Sequence, residues 1–304
     1  VDFGRVPGQD PAGVDFSLGP DDDRTRGVLS NTPAPQHASL RRGAPVWSVP
    51  AWLGTLYPPG TPRSAWLSHY ARRFDAVELN ATFYAIPTRA RCLAWASAVA
   101  ANPDFRFCPK VPRALSHARG LKPTLEDVRA FVDAVEGFGE HLGPCLLQVH
   151  EHIGPRDLVD LLRLVDLLPR TLPLALEVRH PDFFGDRRLS PGLFDALASR
   201  GVGAVVTDVA GRRDVCHASL PTPRVFVRLV CNRLHGSDLE RAAAWAAQLA
   251  RWRAQGLLEA HLFVHQPDDA EAPPVLDAFD AALGRAPSAP SPPPPTSSPQ
   301  LTLF

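Results

Sequence analysis

Short apolar runs, each ending in charged or amide residues, recur along this chain with helix-like stretches between them, and that recurrence limits the folds open to it. The clearest run is 75–87, DAVELNATFYAIP. Ala76, Val77 and Leu79 read as a buried strand that places Glu78 and Asn80 beside Thr82, Phe83 and Tyr84. An ionisable group in such a strand is costly unless it is paired, hydrated or used. Strands of this kind are expected at 44–50, 76–80, 105–110, 145–149, 174–178, 204–207, 225–230 and 261–264. Helical spacing predicts helices near 63–73, 88–101, 124–141, 156–168, 190–200, 237–254 and 274–283, whereas 211–223 is too irregular to assign. Eight short strands alternating with helices imply parallel pairing through crossovers, and so an α/β fold of the (β/α)8 TIM-type barrel. An open doubly wound sheet would carry a Gly-rich phosphate loop after its first strand, and no such loop is found.

The barrel is expected over 43–284 as one domain. Residues 1–42, rich in Gly, Pro, Asp and Arg without an apolar period, read as a disordered leader; 285–304 read as a Pro-rich, extended tail. With 304 residues, 45% of them hydrophobic, the chain can build a sizeable core. Zero formal net charge gives no global basic field, so any nucleic-acid binding must use a local patch. Five scattered cysteines without a CxxC pair read as buried thiols of a reducing compartment. No apolar run approaches the roughly 18 residues of a membrane span, and no signal pattern opens the chain. Val1 reads as an alternative start codon, so the expected location is cytoplasmic, without a membrane partner. Basic charge is nearly all arginine. Lys110 and Lys122 are the only lysines, and their survival against that bias singles them out.

A parallel barrel gathers the carboxyl ends of its strands on one face. Those ends carry Trp47, Glu78, Asn80, Lys110, Gln148, His150, Glu177, Arg179, His180, Thr207, Asp208, Arg228, Asn232, His265 and Gln266, whereas the amino ends show no comparable set. The catalytic candidates are Glu78, Glu177, His180, Asp208 and Lys110. The binding candidates are Trp47, Asn80, Tyr84, His117, Gln148, Arg179, Arg228, Asn232, His265 and Gln266. Glu78 and Glu177 form the natural acid–base pair, because neighbouring carboxylates push each other's pKa values apart. The structural alternative is that Glu78, Glu177, Arg179 and Arg228 neutralise one another as an ion-pair network. Arg179, Arg228 and Lys110 suit an anionic group, and Trp47, Trp52, Phe83 and Tyr84 offer flat faces for a base or sugar ring. Glu78, His150, Glu177, His180, Asp208 and His265 are types that bind zinc or manganese. The tight spacing of a helix-borne metal motif is missing and two arginines sit nearby, so a divalent metal is not favoured and the cofactor stays open.

The motifs Trp47-Ser48, Trp52-Leu53-Gly54-Thr55-Leu56-Tyr57-Pro58, Val77-Glu78-Leu79-Asn80-Ala81-Thr82-Phe83-Tyr84, Phe107-Cys108-Pro109-Lys110, Leu146-Leu147-Gln148 and Leu176-Glu177-Val178-Arg179-His180 together resemble the YecE-like family, domain of unknown function family 72. Val227 to Asn232, Leu234-His235 and Phe263 to Asp268 are similar to one branch of it. The resemblance implies a TIM-type barrel. It supplies no activity, although likeness of the family's barrel to endonuclease IV-type enzymes suggests a nucleic-acid substrate. Two places depart from the family pattern: Gly43-Ala44-Pro45-Val46-Trp47 at the entry to the first strand, and Cys231 where a glycine is usual. The terminal Gln300-Leu301-Thr302-Leu303-Phe304 resembles the peptide that binds the bacterial sliding clamp, with Thr302 the departure. Gln300, Leu301, Leu303 and Phe304 are the partner-binding candidates.

Three functions follow as expectations. The first is a nucleic-acid-processing hydrolase, like a repair nuclease, tethered to the clamp and acting on DNA or RNA. The second is a non-catalytic module that binds nucleic acid or nucleotide. The third is an enzyme acting on a phosphorylated or sugar-like small molecule.

Overall fold

The computed structural model describes residue 4 and residues 11–19, 22–33 and 38–285. Eight parallel strands build the barrel: β1 (Ser39–Ala44), β2 (Ala76–Leu79), β3 (Arg106–Pro109), β4 (Cys145–Gln148), β5 (Leu174–Glu177), β8 (Gly203–Asp208), β9 (Arg224–Val230) and β10 (Glu259–His265). A small antiparallel hairpin, β6 (Phe184–Gly185) with β7 (Arg188–Leu189), lies outside it. The sheet order is β3-β2-β1-β10-β9-β8-β5-β4. The β3–β4 seam closes through parallel bridges Phe107–Leu142 and Lys110–Leu146, with Val111 N–H donating to Leu146 O at 2.9 Å. This is the expected TIM-type barrel.

Alternation along the strands sorts the barrel interior into layers. Ala76, Cys108, Leu146, Ala175, Val205, Phe226 and Phe263 form an apolar plug separate from the main core. Two residues further along the same strands, or just past their ends, come Glu78, Lys110, Gln148, Glu177, Thr207, Arg228 and His265, all buried. The larger core lies between the barrel wall and the helices, and Trp52, Trp245 and Trp252 are its largest fully buried members.

After the strands come α2 (Trp66–Arg73), α3 (Ala81–Tyr84), α4 (Arg89–Ala98), α5 (Arg113–Ser116), α6 (Leu125–Glu136), α7 (Leu158–Leu167), α8 (Pro191–Ala198), α9 (Gly236–Gln255) and α10 (Ala272–Ala282). Only a short 3-10 turn, Arg213–Val215, lies between β8 and β9. That position is filled from the other end of the sequence by α1 (Asp23–Ser30). Arg24 pairs with Asp195 of α8 at 2.5 Å, and α1 packs on α9. Buried Thr25 donates to Ala218 O at 3.0 Å and accepts from Leu220 N–H at 2.8 Å. Asp22 caps the helix by accepting from Thr25 N–H at 2.6 Å and holds Ser219 Oγ at 2.7 Å. The expectation of a disordered leader to 42 is therefore corrected for the described parts of that stretch: α1 and most of β1 lie within it.

The first strand is also corrected from 44–50 to Ser39–Ala44. Ser39-Leu-Arg-Arg-Gly-Ala looks polar, but both arginines are matched from afar. Arg41 Nη1 reaches Glu259 Oε1 at 2.9 Å, and Arg42 Nε reaches Asp280 Oδ1 at 2.8 Å. The amino ends, expected to carry no set comparable to that of the carboxyl ends, do hold some charged groups in the same region. Arg224, Glu259 and His261 line a cavity of about 350 Å³ at that end of the barrel.

Candidate functional site

The polar layer at the carboxyl end is held by one guanidinium. Arg228 comes from the centre of β9 and is completely buried. Its Nη2 and Nε donate to Glu78 Oε1 and Oε2 at 3.0 and 3.1 Å, and its Nη1 donates to Glu177 Oε2 at 2.9 Å. Glu177 also accepts from Arg179 Nε at 2.8 Å and from Gln148 Nε2 at 2.8 Å. The latter contact follows from register, because Gln148 and Glu177 are paired across β4 and β5. Glu78 accepts from His265 Nε2 at 3.0 Å, so that nitrogen carries the proton.

Burial would push both carboxyls up. Instead the charge of Arg228 holds Glu78 well below the usual carboxylate range, and Arg179 with Arg228 does the same for Glu177. Burial lowers the pKa of His265, which favours its neutral form. The pair is therefore not split into an acid and a base. Both carboxylates are ionised and occupied, which is the ion-pair network of the structural alternative.

Above this layer opens a cleft of about 730 Å³. Lys110, Gln148, Arg179, His265 and Gln266 line its polar part, with Asn80 beside them, and Trp47, Phe83, Tyr84 and Trp95 supply aromatic walls. Tyr84 stands at the rim, 82% exposed, whereas Lys110 is only 8% exposed. The Lys110 ammonium sits 4.3 Å from the centre of the Phe83 ring. Burial, and then the charge of Arg228, pushes its pKa down to about 8. The two carboxylates below are already matched by Arg228 and Arg179, so among the described residues the Lys110 ammonium has no counterion of its own. Gln266 Oε1 accepts from Arg233 N–H at 3.1 Å, but its buried Nε2 has no hydrogen-bond partner among the described residues.

Strand alternation also explains which candidates lie elsewhere. Asp208 follows the inward Thr207 and so faces outward. There it accepts from Trp245 Nε1 at 2.8 Å and pairs with Arg241 at 3.0 Å and with Arg213, a structural role in place of the catalytic one expected. His180 likewise follows the cleft-lining Arg179. Its Nδ1 accepts from Asp182 N–H at 3.2 Å, capping a 3-10 turn outside the cleft. Asn232 ties the loop after β9 to Asp238 in the first turn of α9, its N–H donating at 2.8 Å. His117 lies behind the aromatic wall, edge-on to Phe83 at 5.2 Å, and burial pushes it down to about 4. Trp52 is a core residue stacked on Tyr70. Trp95 of α4, not among the candidates, is a cleft residue; it meets Trp47 edge-on at 5.5 Å and the two share the wall. Among the described residues no group of three His, Cys, Asp or Glu side chains could hold a metal ion, and no helix is long and apolar enough to cross a membrane. Gln300, Leu301, Leu303 and Phe304 lie outside the described residues.

Comparison with known proteins agrees with this architecture. The family described as "Protein of unknown function DUF72" matches residues 41–299. The UPF0759 protein YecE of Escherichia coli K12 is 33% identical over 258 residues, covering 77% of this chain and 89% of YecE. A DUF72 family protein of Enterococcus faecalis V583 superposes with a TM-score of 0.66 at 16% identity, over 84% of this chain and 99% of that one. A DUF72 family protein of Thermotoga maritima MSB8 gives 0.63 at 21% identity, over 82% of this chain and 100% of its own. The match to the family spans most of the chain and one relative is a third identical to it, so the chain belongs to the DUF72 family.

Proposed function

We propose that this protein is an enzyme acting on a small anionic substrate that carries a sugar or base ring, with the barrel mouth as its site. One observation carries this reading: cations and amides share a cleft with aromatic walls. Lys110 and Arg179 suit a phosphate or carboxylate, Gln148, Gln266 and Asn80 suit hydroxyls, and Trp47, Phe83 and Trp95 suit a flat ring face. The orphaned Nε2 of Gln266 asks for an acceptor. A cleft of about 730 Å³ fits one nucleotide or sugar phosphate. Hydrolysis by a carboxylate base is the less supported chemistry, because Glu78 and Glu177 are both engaged by guanidiniums. Isothermal titration with ribose 5-phosphate and with a nucleoside monophosphate tests the reading. Binding weakened about tenfold or more by Arg179→Ala is expected; failure of both ligands to bind the wild-type chain overturns it.

The second reading is a clamp-tethered nuclease, favoured by the clamp-binding-like Gln300-Leu301-Thr302-Leu303-Phe304. On that reading the cleft takes a single nucleotide of a strand. Full-length protein should be retained on an immobilised bacterial sliding clamp, and protein lacking residues 300–304 should not. Equal retention of the two would remove the tether. Salt-dependent binding of a single-stranded oligonucleotide with turnover would move this reading ahead of the first.

A further inference from the structure

We propose that Lys110 is a covalent amine nucleophile that forms an imine with an aldehyde or ketone carbon of the substrate. The inference rests on the proposed reading of the mouth as a site for a small phosphorylated or sugar-like molecule, and it names the reacting bond. Three features place the amine for this work. Its backbone is fixed from both sides: Lys110 N–H donates to Leu79 O at 3.2 Å, and its carbonyl accepts from Thr82 Oγ1 at 2.7 Å. Its side chain is buried up to the cleft, and Nζ ends over Phe83 within the lining. Among the described residues Nζ has no carboxylate within ion-pair distance, although Glu78 and Glu177 lie in the same layer, because Arg228 holds both.

A lysine that only balanced charge would sit on one of those carboxylates. This one is buried beside the Arg228 and Arg179 guanidiniums, and desolvation with neighbouring positive charge favours release of the ammonium proton, which leaves the lone pair able to attack, while the Phe83 face holds the amine in place. Burial and Arg228 depress its pKa to about 8, so the reactive form is appreciably populated near neutral pH. In the reaction the nitrogen lone pair adds to the carbonyl carbon, and the carbonyl oxygen takes up the proton that nitrogen releases, giving a carbinolamine. The hydroxyl then leaves with a second proton as water while the nitrogen pair forms the C=N bond. One amine and one carbonyl give one imine and one water, with no oxidant or reductant. An open-chain sugar phosphate suits the cleft, its carbonyl at Lys110 and its phosphate within reach of Arg179.

The test is reductive trapping of the full chain with cyanoborohydride, using ribose 5-phosphate and, separately, glyceraldehyde, followed by peptide mapping. Lys110 and exposed Lys122 are the only lysine side chains, so each serves as a control for the other. Trapping at Lys110 at least tenfold faster than at Lys122, half-maximal near pH 8 and lost in Lys110→Arg, is expected. Because the comparison is made within the wild-type chain, it holds even if the variant folds poorly. No preference for Lys110 with either carbonyl compound overturns the nucleophile. If titration shows that ribose 5-phosphate binds and yet is not trapped, the nucleophile falls and the cleft reading stands. If glyceraldehyde is trapped at Lys110 and neither ribose 5-phosphate nor the nucleoside monophosphate binds, the nucleophile stands and the phosphorylated-substrate reading falls.

Discussion

At the scale of the residue, Arg228 is the side chain on which the mouth depends. It is fully buried between two buried carboxylates, and a charge in such a place is tolerable only while its partners stay. Arg228→Met should therefore lower stability by about 3–5 kcal/mol, as measured by urea unfolding. Most of that loss comes from Glu78, which keeps only the hydrogen bond from neutral His265, whereas Glu177 keeps Arg179 and Gln148. The double variant Glu78→Gln/Arg228→Met should consequently be more stable than Arg228→Met alone. A double variant that is less stable would show that the layer is not governed by charge compensation. The same neutralisation leaves Lys110 as the unbalanced cation of the layer. Sequence reading could name these residues from their strand ends. It could not decide between an acid–base pair and an ion-pair network, because that choice turns on where a guanidinium from β9 comes to rest.

At the scale of the element, most strands were legible because each is an apolar run flanked by turn residues, and period-2 alternation also held information that strand ends alone did not. Thr207 and Asp208 are adjacent, but only Thr207 shares a face with Val205 of the apolar plug. Asp208 therefore points to Arg241 and Trp245 of α9. Two elements were not legible. In β1 two successive arginines mask a strand, because the groups that match them are distant in sequence: Asp104 and Glu259 for Arg41, Asp75 and Asp280 for Arg42. In α1 a short polar helix is stabilised by what it fills, the space between α8 and α9, and its own hydrophobicity gives no sign of that. Thr25→Val is a direct check. It keeps the shape of the side chain but leaves Ala218 O and Leu220 N–H without their buried partner, so it should cost about 1–3 kcal/mol in denaturant unfolding. A disordered leader would give no change.

At the scale of the whole molecule, acid should weaken the fold in two stages. His217 and His261 are wholly buried, and burial pushes both down to about 4 from an ordinary value of 6.5. As pH falls through 6.5 the unfolded chain takes up protons that the folded chain refuses until about 4. Stability is thus lost across that window, by about 1.4 kcal/mol per pH unit for each histidine. Glu78 and Glu177, held below their ordinary value of 4.5, add a second loss that begins as pH drops through 4.5. Urea midpoints measured from pH 7 to 5 should already fall. His261→Phe should flatten that slope, since the ring lies near Phe226 and Phe263 and neither of its nitrogens has a hydrogen-bond partner among the described residues. Constant midpoints over this range would contradict the account. The amino-acid sequence by itself determined the strand–helix alternation, the parallel barrel and the end of it where the candidate residues collect, because these follow from local hydrophobic period and crossover geometry. Only the tertiary structure decided which candidates face the cleft, which carboxylates are already spent on Arg228, and where the leader docks. Those outcomes depend on contacts between residues distant in the chain, and ring closure, not neighbourhood in sequence, brings them together.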